Sequence, residues 1–150
     1  MNLIDHFASE ASVRAFKVEM LKFPQVDCKT THVIHGGMYA RTIFIPAGTV
    51  LTGAKTNVEN ICILSGDISV STDEGLKRLV GFTVIPANAG FKRAGFAHAD
   101  TYWTTLFATD LTDVEAIEDY VTDEADELQT RNLSLSKAQP KLLEVQHGID

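Results

Sequence analysis

Cysteine is scarce in this chain. Cys28 and Cys62 are the only two among 150 residues, and they form neither a disulfide framework nor a Cys-x-x-Cys motif. Cys62 lies in the apolar run ICIL, where a buried reduced thiol is the simplest assignment. That usage fits a reducing compartment. Long apolar runs are missing as well. No stretch approaches the ~20 residues that span a bilayer, and the opening MNLIDHFASEASVRAF lacks the apolar core of a signal peptide. These absences predict a cytoplasmic protein that is neither exported nor held in a membrane. There is no continuous basic stripe, which argues against duplex nucleic acid as a partner. There is no glycine-rich phosphate loop, no Gly-x-Ser-x-Gly elbow and no Ser-His-Asp or Cys-His order. Internal repeats and low-complexity tracts are also missing.

What remains is an ordinary globular composition, 45% hydrophobic and 22% charged, long enough to bury a core without metal or disulfide staples. The chain reads as one domain over 1–150. Its net charge of −7 is local: nine of the 20 acidic residues fall between Asp110 and Glu127, a segment with no Lys or Arg. The rest carries 11 acidic and 13 basic residues, so a small anionic ligand in the middle of the chain is compatible with its charge.

The hydropathy period changes twice. Leu3, Ile4, Phe7, Ala11, Val13, Phe16 and Met20 follow partly helical spacing, which predicts a helix over 3–21 capped by Asp5 or Ser9 and ended by Phe23-Pro24-Gln25. From Thr31 the pattern is β-rich. Runs at 40–45, 49–53, 59–65, 67–72, 76–80, 82–85 and 101–108 are separated by Pro46-Ala-Gly48, Ser65-Gly66, Asp73-Glu74-Gly75 and Pro86 to Gly90. Many short strands imply a sandwich or barrel, and Thr72 to Gly75 fits a hairpin turn. After Asp110 the helical period returns in Leu111, Val114, Ile117, Tyr120, Val121, Ala125 and Leu128. Thr112 with Glu115 fits a capping box, and the acidic residues fall on the opposite face as a solvated surface. The segments are thus 1–30 (helical), 31–109 (barrel), 110–130 (acidic helix) and 131–150 (tail).

His32, Tyr39 and Arg41, the IPAG turn at 45–48, Gly66-Asp-Ile, Pro86 to Gly90 with Arg93, and HADTYWTT at 98–105 stand in an order that resembles a group of small cupin-like proteins of tailed phages and bacteria. The likeness covers about residues 17–120. It implies an all-β, cupin-type antiparallel β-barrel of about eight strands, with an N-terminal helical segment and an acidic C-terminal helix. It also implies a metal motif, from which this chain departs. Pro46, Gly48, Glu59 and Gly66 stand in the expected places, but Ala54 and Thr56 stand where the histidines of the motif would be. Relatives of this type often carry histidine at the positions of Thr56 and Asn60 and glutamate at that of Thr42. The second motif supplies a histidine where Lys92 and Arg93 stand. A first-row metal needs about three converging His or carboxylate ligands, so no cofactor and no tightly bound catalytic metal is expected.

Several residues carry alternatives. His32 and His35 are three apart, and on a strand they point to opposite faces. With His98 and Glu59 they form the donor set of a metal-dependent enzyme, an isomerase or dioxygenase; otherwise they hydrogen-bond between packed segments. Arg41 lies in MYARTIFI on a face that can be the barrel interior. There it binds a carboxylate or phosphate, or pairs with Glu59 or Asp100. Trp103 stacks on a ligand or fills the core. Lys55, Lys92 and Arg93 converge into an anion pocket or are solvated cations.

The expected ligand set is Tyr39, Arg41, Lys55, Thr56, Glu59, Arg93, His98, Tyr102 and Trp103. It implies a non-enzymatic binder of a small anionic or polar metabolite such as a nucleotide or sugar phosphate. A metal-dependent enzyme and a ligand-free structural subunit are the competing classes. Exposed edge strands imply a homo-oligomer, a dimer above all, with the N-terminal segment or the tail from Leu133 exchanged between subunits.

Overall fold

The computed structural model describes residues 9–23, 25–72 and 74–131. Helix α1 (Glu10–Met20) begins where Ser9 accepts a hydrogen bond from the Ser12 amide at 3.1 Å. Val13, Phe16 and Met20 recur at helical spacing. Val13 and Met20 are buried, and Val13 packs with Ala94, Phe16 and Leu76. The helix stops at Leu21 as expected before Pro24. The alternative cap, Asp5, and the residues from Leu3 to Phe7 lie outside the described residues, as do residues 132–150 of the tail.

Among the described residues seven strands follow: β1 (Thr30–His35), β2 (Met38–Ile45), β3 (Val50–Thr52), β4 (Asn60–Thr72), β5 (Gly75–Ala87), β6 (Ala94–Ala97) and β7 (Thr101–Ala108). All pairings are antiparallel, in the order β1-β2-β7-β4-β6-β3, with β5 on the other side of β4. The sheet curls into the barrel anticipated from the sequence.

The strand boundaries differ from the sequence expectation in a consistent way. Gly66 and Gly81 each mark a break in the apolar pattern, yet they pair with each other. Two glycines opposite one another let the β4–β5 ribbon bend without ending. The runs 59–65 and 67–72 are therefore one strand, and 76–80 and 82–85 are another. The turn between Thr72 and Gly75 holds, with the Thr72 hydroxyl donating to the Gly75 carbonyl at 2.6 Å. Two further strands, β1 and β6, are absent from the runs read in the sequence. In β6, Gly95 has the Ser69 carbonyl 3.2 Å from where a Cβ would stand. A close backbone approach thus takes the place of a side-chain pattern there.

Helix α2 (Val114–Val121) is shorter than the 110–130 segment, and a 3₁₀ turn (Ala125–Glu127) follows. Its cap is Asp113, which accepts from the Ala116 amide at 2.9 Å, and not the Thr112–Glu115 box. Ile117 and Val121 close the end of the barrel over Tyr39 and Phe107. The second core, on the barrel axis, contains Val26, Ile45, Leu64, Ile68 and Val70. No helix among the described residues is long and apolar enough to cross a membrane.

Candidate functional site

The strand register decides which side chains meet inside. One inward row crosses the sheet as His32, Arg41, Thr105, Cys62 and Ile85, and the next as Thr30, Ile43, Trp103, Leu64 and Thr83. The alternate rows face out: Val33, Ala40, Leu106, Ile61 and Pro86, then Thr31, Thr42, Thr104, Ile63 and Val84. Phe44, Tyr102, Ser65 and Phe82 continue that outer face.

The inward rows enclose a cavity of about 250 Å³. Tyr39, Arg41, Thr56, Arg93 and Trp103 of the expected ligand set line it. Lys55, Glu59, His98 and Tyr102 do not. Tyr102 is on the outer face against Phe44, their rings 5.1 Å apart. Glu59 is exposed. His98 bonds the Ser69 hydroxyl through Nε2 at 2.7 Å. Lys55 leans on Glu10 of α1, 3.3 Å away.

The cations expected to converge are handled differently. Arg41 pairs at 2.9 Å with Glu118 of α2, not with Glu59 or Asp100. Glu118 is buried and also receives Arg131 at 3.1 Å and the Thr130 hydroxyl at 2.7 Å. The acidic helix is therefore not only a solvated face, because one of its carboxylates reaches inside. Lys92 is not a surface cation. Its side chain is fully buried and donates to Glu124 and to the Gly53 carbonyl, both at 2.9 Å. Burial pulls the Lys92 ammonium below its ordinary pKa, opposed by Glu124. Burial pushes Glu124 up, but Lys92, the Lys55 amide and Arg14 outweigh it and hold the carboxyl at about 2.

Arg93 is the exception. Its guanidinium carbon lies 5.4 Å from the Phe91 ring centre and 6.0 Å from that of Trp103. Its Nη1 is buried without a hydrogen-bond partner among the described residues. Burial raises the pKa of the neighbouring Cys62 thiol, and the charge of Arg93 works against that rise. Cys28 and Cys62 are both buried.

His32 and Tyr39 form a second polar unit. Nδ1 of His32 and the Tyr39 hydroxyl are 2.5 Å apart, with the rings stacked at 5.8 Å. Burial and the charge of Arg41 lower the His32 pKa, so the ring is neutral near pH 7. Burial raises that of Tyr39. His35 is exposed on the opposite face of β1. The set His32, His35, Glu59 and His98 is thus divided among separate surroundings. No group of three or more His, Cys, Asp or Glu among the described residues is placed to hold a metal ion.

The positions where the resemblance would put metal ligands are strapped by the chain after α2. Thr56 bridges to Thr122, the Asn57 amide donates to the Val121 carbonyl at 2.7 Å, and the Thr122 hydroxyl donates to the Lys55 carbonyl at 2.6 Å. Ala54, Thr56 and Asn60 offer no imidazole or carboxylate there, and Lys92 and Arg93 bring positive charge. This donor set does not fit a first-row metal. The Lys92–Glu124 pair and the strap carried no readable signal in the sequence, since Glu124 lies 32 residues from its partner.

The chain is an all-β protein with a curled antiparallel sheet. Among solved structures it is similar to a cupin superfamily protein of Desulfitobacterium hafniense, at 12% identity and a TM-score of 0.47 over 59% of this chain and 83% of that one. It is similar also to KdgF from a Halomonas species, at 17% identity and a TM-score of 0.47 over 62% of this chain and 92% of that one. A cupin-2 domain containing protein of Shewanella frigidimarina matches at 8% identity and a TM-score of 0.45, over 62% and 91% of the two chains. No family model and no curated protein matches the sequence.

Proposed function

We propose that this barrel binds a small anionic or polar metabolite without transforming it, and that Arg93 is its anchor. The observation that carries this reading is the unpaired, buried Nη1 of Arg93 in an aromatic-lined cavity. A buried guanidinium nitrogen without a hydrogen-bond partner is costly. It is retained where a ligand supplies the missing acceptor. Arg41, the anchor expected from the sequence, is already committed to Glu118 and serves the architecture. Thermal-shift measurement on the full chain tests the reading. An anion at ~100 times its dissociation constant stabilises the fold by about 2.7 kcal/mol. The shift disappears in Arg93→Met and survives in Arg41→Met wherever that variant folds.

We also propose that the outer face of β5 meets a second copy of the chain. Phe82 is 75% exposed, and Val80, Val84, Ile61 and Tyr102 are exposed around it. Strand β5 pairs only with β4 among the described residues, so its outer edge is open, and Pro86 is tolerated there because an edge donates to no neighbour. From Leu79 to Ala87 the strand carries no charge for an unlike partner to read. The same patch on two copies closes the edge about a two-fold axis.

A further inference from the structure

We infer that the cavity selects a compact monoanion, a single carboxylate on an apolar body, over phosphate esters and nucleotides. The inference rests on the binding role proposed for Arg93 and narrows the class of ligand.

The first ground is charge. The ion pairs around the cavity mouth and the chain after α2 involve Arg14, Lys17, Arg41, Lys55, Lys92 and Arg131 as cations, and Glu10, Glu118, Asp119, Glu124, Asp126 and Glu127 as anions. Of the charged side chains that line the cavity, Lys17, Arg41, Glu118, Glu124 and Glu127 all stand in ion pairs, and Arg93 does not among the described residues. A ligand with one negative charge pairs Arg93, whereas a dianion brings a second charge that no unpaired cation of the lining meets. An unmet charge is most expensive where solvent is excluded.

Size is the second ground. A cavity of 150 Å³ is known to accommodate benzene. The space here is about 250 Å³, enough for a six-membered ring or short chain, a carboxylate and a few further atoms. A base, sugar and phosphate together exceed it.

The third ground is the wall. Ile43, Leu51, Ile68, Val70, Phe91 and Trp103 offer apolar surface for the body of the ligand. The planar guanidinium fork fits a planar carboxylate through two parallel hydrogen bonds, and the rings of Phe91 and Trp103 restrict it.

The test is calorimetric titration of the full chain with benzoate, hexanoate, benzyl alcohol, phenyl phosphate and adenosine monophosphate. Benzoate and hexanoate are expected to bind, with affinity lost at least tenfold in Arg93→Met. Benzyl alcohol, which keeps the ring and lacks the charge, is expected to bind at least tenfold more weakly than benzoate. Phenyl phosphate is expected to weaken about tenfold as pH rises from 5.5 to 8 through its second ionisation near ~6, while benzoate binding stays level. That comparison needs only the wild-type chain and so stands if Arg93→Met does not fold. Equal or tighter binding of dianionic phenyl phosphate or of the nucleotide, still dependent on Arg93, overturns the monoanion inference and leaves the anion-binding role intact. No binding by any probe, or binding indifferent to Arg93, overturns both.

Discussion

Arg41 of β2 and Glu118 of α2 form a 2.9 Å ion pair that ties the acidic helix to the interior of the barrel. Arg131 and Thr130 bond the same carboxylate, so Glu118 joins the sheet, the helix and the chain that follows. Removing the carboxylate strands Arg41, while Arg131 keeps its pair with Asp119 at 2.7 Å. Glu118→Ala should therefore lose about 3 kcal/mol of stability in urea unfolding, in the range for a broken buried pair. Glu118→Gln, which keeps the shape and some hydrogen bonding, should lose less. A loss below ~0.5 kcal/mol for Glu118→Ala would place this carboxylate among ordinary surface acids.

Glu124 sets a pH dependence whose sign follows from its pKa. The carboxyl is held at about 2 in the fold against an ordinary value of 4.5. A depressed carboxyl contributes stability above its unfolded pKa and loses it as pH falls through the folded one. The contribution is about 3 kcal/mol, from ~1.4 kcal/mol for each pKa unit between 4.5 and about 2. Glu124→Gln should be less stable than wild type at pH 7, and the gap should narrow between pH ~4.5 and ~2. A gap that stays constant through that window would remove Glu124 as its source.

Gly66 allows β4 to pass close to the start of β7. Its φ is +152°, and an added Cβ would stand 2.7 Å from the Thr101 Cα and 2.8 Å from the Asp100 carbonyl. Both neighbours are backbone and cannot rotate away. Gly66→Ala should cost on the order of 2 kcal/mol or more, combining overpacking with a conformation that alanine rarely adopts. Gly81, its partner across the ribbon, has open space around it and pays only for its φ of +80°, so Gly81→Ala should cost less. Chemical denaturation of the two variants side by side decides the order.

The exposed Phe82 gives the proposed dimer a specific site. Phe82→Lys should convert a dimer to a monomer in sedimentation at micromolar concentration while leaving the far-ultraviolet spectrum unchanged. A wild-type chain that is monomeric under those conditions, or a Phe82→Lys variant that stays dimeric, would remove β5 as the interface.

The barrel was legible because its turns are written locally. The Pro46-Ala-Gly48 turn, the Thr72–Gly75 hairpin and the alternation of TYWTTLFA identify strands without knowledge of their neighbours. Period two also put Arg41 and Tyr39 inside together. Tyr102 and Trp103, however, cannot both face inward, and only the pairing of Trp103 with Leu64 shows which of them does. The glycine-opposite-glycine bend is not legible: Ser65-Gly66 reads as a turn and Gly81 only as a gap between two runs, because a single sequence does not reveal that two breaks coincide in space. The cations were hardest. Arg41, Lys55, Lys92 and Arg93 look alike in the sequence, and their fates depend on carboxylates brought from α1, from α2 and from the chain after it. Long-range partners decide which cation is spent on structure and which enters no ion pair among the described residues.

A crystal structure of the chain soaked with benzoate tests the central claim most directly. The account predicts the carboxylate within hydrogen-bond distance of Arg93 Nη1, with the ring among Ile43, Leu51 and Trp103. A soaked crystal with that cavity empty, or with benzoate bound only at the surface, would contradict it.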